Sequence, residues 1–420
     1  MEIKRDIHLG RLIARKGNGM IKVVTGMRRC GKSYLLFTLF RRHLLESGVD
    51  DKHIVMVDLE DRRNAKLRNP DALLAYIDAR MQDDGQYYIM LDEVQMVSEF
   101  EDVLNSYLKV PNADVYVTGS NARFLSHDVI TEFRGRGDEV RIAPLSFREF
   151  ASVRQGERVS LLNEYMTYGG LPQVLTMTDE VQKVEYLKSL FAHTYLRDVK
   201  ERYDIKKDDD LEELIDLLAS NVGCLTNPTK LENAFRSTKR STLSRDTIKM
   251  YLDLLQDAFL LEKAVRYDIK GKRYIDTPSK YYFSDLGLRN ARLNFRQTEF
   301  THLLENVIYN ELRLRGCSVD VGQVPTIING ADGQRQRSVL EVDFVCNQGY
   351  RRCYVQSAYA LPTEEKMQQE TASLLKIKDG FAKMVIVGTP TPTYQNEDGI
   401  VIMNIFDFLI DDDALARVGM

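Results

Sequence analysis

The chain has 420 residues, 44% hydrophobic and 29% charged, which is enough for two to four domains at roughly 100–200 residues each. Lys and Arg total 58 against 62 Asp and Glu, and this net charge of -4 excludes a uniformly basic coat for nucleic acid while leaving room for a local basic patch. Cys30, Cys224, Cys317, Cys346 and Cys353 stand singly, with no CxxC pair to suggest a zinc site or a disulfide framework. The first residues are charged rather than apolar and no run reaches membrane-spanning length, so the expectation is a cytoplasmic chain with no membrane partner.

The first 150 residues alternate short apolar runs with amphipathic stretches, the pattern of an α/β domain with a parallel sheet. Strands are expected at Ile21–Thr25, Ile54–Leu59, Tyr87–Leu91, Val115–Thr118 and Glu139–Ile142. Helices are expected at Ser33–Glu46 and Pro70–Met81, the second with a proline start signal. In such a doubly wound core, ligands sit at the carboxyl ends of the strands. From Leu161 to about Asn221 the pattern turns helical and is broken by Gly169-Gly170-Leu171-Pro172. Between Thr226 and Asn290 two or three short helices precede possible strands at Val265–Tyr267 and Tyr281–Phe283. A helix at Leu303–Arg315 then opens a region with strands at Val319–Val321, Leu340–Val345, Cys353–Gln356, Met384–Val387 and Ile400–Met403.

Gly26-Met27-Arg28-Arg29-Cys30-Gly31-Lys32-Ser33 matches G-x-x-x-x-G-K-[ST] between an apolar strand and a periodic helix, the context that a phosphate-binding P-loop requires. Glycines let backbone N–H groups curl round phosphate oxygens, and the following helix N-terminus favours negative charge. The expected ligand is ATP with Mg²⁺, held by residues 26–33 and the adjoining Tyr34. Lys32 would reach the β and γ phosphates, and Ser33 would ligate the metal. A partner acid should end a neighbouring strand, and Tyr87-Tyr88-Ile89-Met90-Leu91-Asp92-Glu93 supplies one. Asp92 is the expected second metal-shell residue, and Glu93 the group that polarises the attacking water. Val115–Thr118 leads to Ser120 and Asn121, candidates for contact with the γ-phosphate or that water, although Gly119-Ser120-Asn121 also reads as a plain turn. Arg123, Arg134 and Arg136 follow as candidates for the arginine that neutralises transition-state charge; Arg136 is favoured, within the chain or on a neighbouring subunit.

These residues, with Leu91-Asp92-Glu93-Val94-Gln95, Thr118-Gly119-Ser120-Asn121, Gly135-Arg136, Pro144–Phe150, Tyr168-Gly169-Gly170-Leu171-Pro172 and Lys280–Gly287, make a recognisable set. The chain resembles the AAA-type P-loop ATPases of bacteria and archaea that carry a C-terminal domain of unknown function. The resemblance spans essentially the whole chain and implies ATP binding and hydrolysis.

Leu231–Phe235 and Leu243–Leu255 resemble a helix-turn-helix, with Val265–Phe283 as a possible wing. Between Thr226 and Met250, Lys230, Arg236, Lys239, Arg240, Arg245 and Lys249 face only Glu232 and Asp246, so region 226–290 offers DNA a basic surface or a protein partner a docking module. Glu341-Val342-Asp343-Phe344-Val345 followed by Tyr354-Val355-Gln356-Ser357-Ala358 resembles the core of restriction-endonuclease-like folds, with Glu305 as a further acid. Ala358 stands where that family has lysine and Gln356 where it has an acid, which argues for a scaffold rather than a working nuclease; Lys366, on the following helix, is a candidate substitute ammonium.

The fold class expected is therefore α/β: a P-loop NTPase core of AAA type at 1–150, a helical lid or linker at 151–225, a winged-helix-like domain at 226–295 and a degenerate restriction-endonuclease-like domain at 296–420. The expected activity is Mg-dependent ATP hydrolysis coupled to rearrangement of the DNA- or partner-binding tail, with self-association possible. A nucleotide-dependent scaffold with little turnover and an active metal-dependent nuclease are the alternatives.

Overall fold

The computed structural model describes residues 2–119, 135–197, 199–200, 208–238, 243–297, 299–329 and 335–420. The chain divides into two units. One comprises Met1–Leu145 with Leu171–Gln173 and Asp257–Phe259, the other Ser146–Gly170, Val174–Gln256 and Leu260–Met420. Among the described residues no helix is long and apolar enough to cross a membrane.

In the first unit, β1 (Ile21–Gly26), β2 (Ile54–Asp58), β3 (Tyr87–Asp92), β4 (Ala113–Thr118) and β5 (Gly137–Ile142) form one sheet in the order β2-β3-β4-β1-β5. Every neighbouring pair is parallel. Each strand lies within a residue or two of its expected place, because a parallel sheet covered on both faces makes its strands continuous apolar runs. All six residues of β1 and of β3 are buried. Leu73 and Ile77 from helix Pro70–Asp78, and Val103 and Leu104 from helix Phe100–Tyr107, pack against Val23, Val57, Ile89 and Val117. Asn69 caps the first of these helices by accepting from the Ala72 N–H, with Pro70 in its first turn. The helix expected at Ser33–Glu46 begins as Lys32–Tyr34, passes through a π-helical stretch at Leu35–Phe40 and ends as Arg41–Glu46. An N-terminal helix, Asp6–Ala14, was not expected; its charged residues hide a stripe in which His8 and Leu12 are buried.

The second unit begins with helices Phe147–Ala151, Arg158–Tyr168, Glu180–Leu190, Asp208–Ser220, Pro228–Thr238 and Arg245–Asp257. Its eight-stranded mixed sheet has the order β12-β13-β11-β10-β9-β8-β6-β7. The strands are β6 (Leu261–Asp268), β7 (Arg273–Phe283), β8 (Ser318–Asn329), β9 (Arg335–Gln348), β10 (Arg351–Ala358), β11 (Ala382–Val387), β12 (Tyr394–Gln395) and β13 (Val401–Asn404). The hairpin read as a wing is β6–β7, and it pairs in parallel with β8, so it forms the edge of this sheet. β8 and β9 run well past their apolar cores because ladder pairing carries polar residues along, as at Thr326 opposite Ser338 and Gln323 opposite Glu341.

Two distant glycine motifs close on each other inside this unit. Asp285 caps helix Leu286–Arg292 by accepting from the Leu288 N–H, and its other oxygen accepts from the Gly170 N–H at 2.8 Å. A Cβ on Gly287 would stand 2.1 Å from the Tyr168 carbonyl oxygen, and one on Gly169 would stand 2.3 Å from the Asp285 carboxylate, so the backbones meet only as glycine. Asn290 donates to the carbonyls of Met166 and Thr167, finishing the joint. Burial pushes the Asp285 carboxyl up from 3.8 to about 6, against the pull of the Gly170, Leu288 and Gly287 N–H groups.

The folded chain therefore binds this proton more tightly than the unfolded chain, and the contribution favours the fold at low pH and is lost as pH rises through about 6. Asp285→Asn keeps an acceptor and removes the titration. The stability of the wild type relative to this variant should fall by about 3 kcal/mol between about pH 4 and pH 7, measured by urea unfolding. A difference that stays flat across that range would show that Asp285 does not carry the effect.

Candidate nucleotide site

The loop after β1 is shaped by a close approach. Gly26 has φ 137° and pairs with Ile142 of β5, and a Cβ there would lie 2.3 Å from the Ile142 carbonyl oxygen. Gly31, at φ 99°, turns the loop into the helix, and Arg29 also adopts positive φ. Met27 and Cys30 are buried beneath the loop, Arg28, Arg29 and Ser33 are exposed, and Tyr34 is more than a third exposed. Lys32 is buried, and its ammonium donates to the carbonyls of Gly26 at 3.0 Å and Met27 at 3.1 Å, so it folds over the loop that carries it.

At the carboxyl end of β3, Asp92 is buried and accepts from the Ser33 and Thr118 hydroxyls. Burial pushes its carboxyl up, those two hydroxyls pull it down, and Glu93 and Asp58 add repulsion. A cation beside Asp92 would relieve that repulsion, so the residues present fit Mg²⁺ held through Ser33 and Asp92. Glu93 follows in the left-handed region at φ 53°, with its N–H donating to Thr118 Oγ1 at 3.1 Å. Gln95, in the single turn Val94–Met96, donates from Nε2 to the Glu93 carboxylate.

The structure thus gathers Lys32, Ser33, Asp92 and Glu93 at one edge of the sheet. It does not bring Arg136 to them. Arg136 precedes β5, and its carbonyl accepts from the N–H of Ile21, the first residue of β1. It therefore lies at the amino end of the strands, roughly 20 Å from the loop at about 3.3 Å per residue along the six residues to Ile142. The expectation of an arginine acting on the phosphates of its own chain is corrected for Arg136, because a parallel strand separates the two. Ser120, Asn121, Arg123 and Arg134 lie outside the described residues.

The acids read as a degenerate nuclease centre are also arranged differently from the expectation. The Lys280 ammonium, on β7, lies 2.9 Å from Glu305, 2.8 Å from Glu341 and 3.7 Å from Asp343. Tyr282 donates to the same Glu305 oxygen at 2.7 Å, and the Ser357 N–H donates to Asp343 at 2.8 Å. Burial opposes the charge on Lys280, but Glu305, Asp343 and Glu341 outweigh it and hold the ammonium well above its ordinary range. Burial and the Glu305 charge push Asp343 up. Ala358 packs in an apolar cluster with Leu374 and Ile377, while Gln356 accepts from the Asp343 N–H at 3.4 Å. Lys366 pairs with Glu370 on its own helix. An ammonium is present after all, supplied by β7 rather than by β10 or Lys366. Among the described residues no group of three His, Cys, Asp or Glu side chains could hold a metal ion.

A family model described as an AAA domain matches residues 18–151, and one described as a domain of unknown function (DUF8612) matches residues 159–299. The chain is 35% identical over 415 residues to an uncharacterized protein of Haemophilus influenzae, covering 97% of this chain and 98% of that one. The chain belongs to the AAA-type P-loop family with a C-terminal domain of unknown function. It is also 28% identical over 407 residues to the uncharacterized protein MJ1544 of Methanocaldococcus jannaschii, covering 94% of this chain and 86% of that one. Among solved structures, the Walker-type ATPase PABY2304 of Pyrococcus abyssi covers 70% of this chain and 96% of that one at 15% identity, with a TM-score of 0.48.

Three residues of the AAA-type domain escaped the sequence reading. Thr118 was read as a strand end and as part of a motif, without a role of its own, yet its hydroxyl joins Asp92 to the Glu93 backbone. Arg5 is buried and donates to the Cys30 carbonyl at 3.0 Å and the Ala143 carbonyl at 2.6 Å, tying the loop to the end of β5. Gln95 was quoted only as part of a motif. In the second unit, Lys280 had one available signal: a lysine directly before the apolar run Tyr281-Tyr282-Phe283 in a strand that has no reason to expose it.

Removing a partner from a buried ion-pair network leaves its opposite charges uncompensated. Lys280→Ala should destabilise the second unit by about 3–5 kcal/mol, read by denaturant unfolding. A loss below about 1 kcal/mol would mean that the carboxylates are satisfied without Lys280.

Proposed function

We propose that this protein is a Mg-dependent ATPase whose hydrolysis cycle rearranges a tail that binds DNA or a protein partner. The observation that carries the reading is the convergence of Lys32, Ser33, Asp92 and Glu93 at the carboxyl edge of the parallel sheet, where an open α/β sheet binds its ligands. Residues Gly26–Ser33 and Tyr34 cradle the nucleotide. Lys32 leaves the Gly26 and Met27 carbonyls for the β and γ phosphates, a short swing that replaces two neutral acceptors with anionic ones. Ser33 and Asp92 would hold Mg²⁺, which would supply neutralising charge on the phosphate oxygens. Glu93 accepts a proton from the attacking water as general base. Ser120 and Asn121 contact the γ-phosphate or that water, and an arginine from a neighbouring subunit, Arg136 being the candidate, neutralises the developing charge.

The second unit serves as the responding tail. The helices Pro228–Thr238 and Arg245–Asp257 followed by the β6–β7 hairpin support a winged-helix reading, and its basic residues support double-stranded DNA as the partner. Arg236 is already paired with Glu232, and Lys230 donates to the Leu225 carbonyl, so part of that charge serves local structure. The carboxylates of the restriction-endonuclease-like region are occupied by Lys280, which favours a scaffold over phosphodiester cleavage. The end of β5 packs on the phosphate loop, and the chain passes from it into the second unit at Ser146, a direct covalent route for the nucleotide state.

Phosphate release from the wild type and from two variants tests the reading. Lys32→Ala should weaken ATP binding at least about 10-fold, and Glu93→Gln should bind ATP while losing about 100-fold or more in turnover. Stimulation of wild-type turnover by double-stranded DNA identifies the partner; stimulation by neither single- nor double-stranded DNA points to a protein. Equal, near-zero rates in wild type and Glu93→Gln would replace the ATPase with a nucleotide-binding scaffold.

A further inference from the structure

We infer that Gln95 is a positioning residue for hydrolysis, holding the Glu93 carboxylate through its side-chain amide; this rests on the ATPase reading above. Glu93 leaves β3 with a left-handed backbone, φ 53°, which a side chain with a Cβ adopts only where its surroundings enforce it. Two contacts bracket it. Thr118 Oγ1 holds the backbone N–H at 3.1 Å, which sets where the residue starts, and Gln95 Nε2 holds the carboxylate, which sets where it points. Gln95 can do this because the turn Val94–Met96 is closed by Met96 N–H to the Glu93 carbonyl at 3.0 Å, folding residue 95 back beside residue 93.

A second observation bears on this pair. The other end of the same amide, Gln95 Oε1, is buried and has no hydrogen-bond partner among the described residues. A buried acceptor without a donor is costly, so the amide keeps this orientation at the expense of its oxygen, through the hydrogen bond of its other end to Glu93. A water molecule offers two protons. Glu93 takes one of them during attack, and it does so from the orientation in which Gln95 Nε2 holds its carboxylate. The proton balance is simple: the water oxygen bonds to phosphorus, one proton passes to Glu93, and ADP leaves with the electron pair of the broken P–O bond. Gln95 neither gains nor loses a proton.

Gln95→Met removes the amide at nearly constant volume, and Gln95→Glu removes the donor and sets a second carboxylate against Glu93. Each is measured in the full chain by single-turnover ATP hydrolysis and by ATP affinity with a fluorescent nucleotide. Both variants should hydrolyse at least about 10-fold more slowly while binding ATP within about 3-fold of wild type, because the lost contact acts on the attacking side only. In a Glu93→Gln background, Gln95→Met should add no further loss, since there is then no base to position. Three outcomes overturn the inference alone: unchanged rates in both variants, affinity falling in step with rate, or a full additional loss in the Glu93→Gln background. A wild type that binds ATP without turning it over overturns the ATPase reading and this inference with it.

Discussion

The approach of Gly26 to the Ile142 carbonyl governs the first unit. β1 and β5 pair in parallel up to this point, and the 2.3 Å that a Cβ would have to occupy forces glycine and a positive φ of 137°. The chain must then leave the sheet sharply, and a loop that turns so tightly presents its amides inward to a ligand. Arg5 satisfies the Cys30 carbonyl left on the outside, and the Cys30 thiol lies 3.6 Å from the same Ile142 carbonyl. With the loop held from beneath, Lys32 and Ser33 start the helix at a fixed distance from the end of β3. Asp92 and Glu93 then fall into place through Thr118, which bonds both, with Ser33 holding Asp92 and Gln95 holding Glu93.

The two units handle buried charge in opposite ways. At the sheet edge of the first, Asp92 is under-neutralised: burial, Glu93 and Asp58 all raise its carboxyl, and only hydroxyls oppose them. A buried carboxyl opposed by hydroxyls alone is the electrostatic setting that favours a cation beside it. In the second unit the carboxylates of Glu305, Glu341 and Asp343 have found a cation in Lys280, with Tyr282 donating to the same Glu305 oxygen and the Ser357 N–H to the other oxygen of Asp343. A network closed in this way favours one packing of helix Phe300–Leu314 against the sheet, at the expense of any site that needs those acids free.

The joint between Tyr168-Gly169-Gly170 and Asp285-Leu286-Gly287 extends the same principle to backbone. Motifs that recur as landmarks look functional when only a sequence is in view, yet here their glycines and acid serve an N-cap and a close crossing of two chains. More than a hundred residues separate them, so the joint orders a long stretch of helices in one step. Asn290 and Arg289 complete it by reaching the carbonyls of Met166, Thr167 and Ala219.

Sequence by itself determined the five parallel strands of the first unit and the loop Gly26–Ser33 with Asp92 and Glu93. Strands buried on both faces are apolar throughout, and a phosphate loop needs its glycines, lysine and hydroxyl within eight consecutive positions, so the information is local. It did not determine the helix Asp6–Ala14, the full lengths of β7, β8 and β9, or the roles of Arg5, Gln95, Thr118 and Lys280. Each of those depends on a partner far along the chain or across a ladder: Arg5 on Cys30 and Ala143, Thr118 on Asp92, Lys280 on Glu305 and Asp343. Only tertiary structure decided that Gly26 meets Ile142 of β5 and that Glu305, Glu341 and Asp343 meet a lysine from another strand. Both follow from strand order and direction, which hydrogen bonding between distant segments sets and which no local spacing encodes.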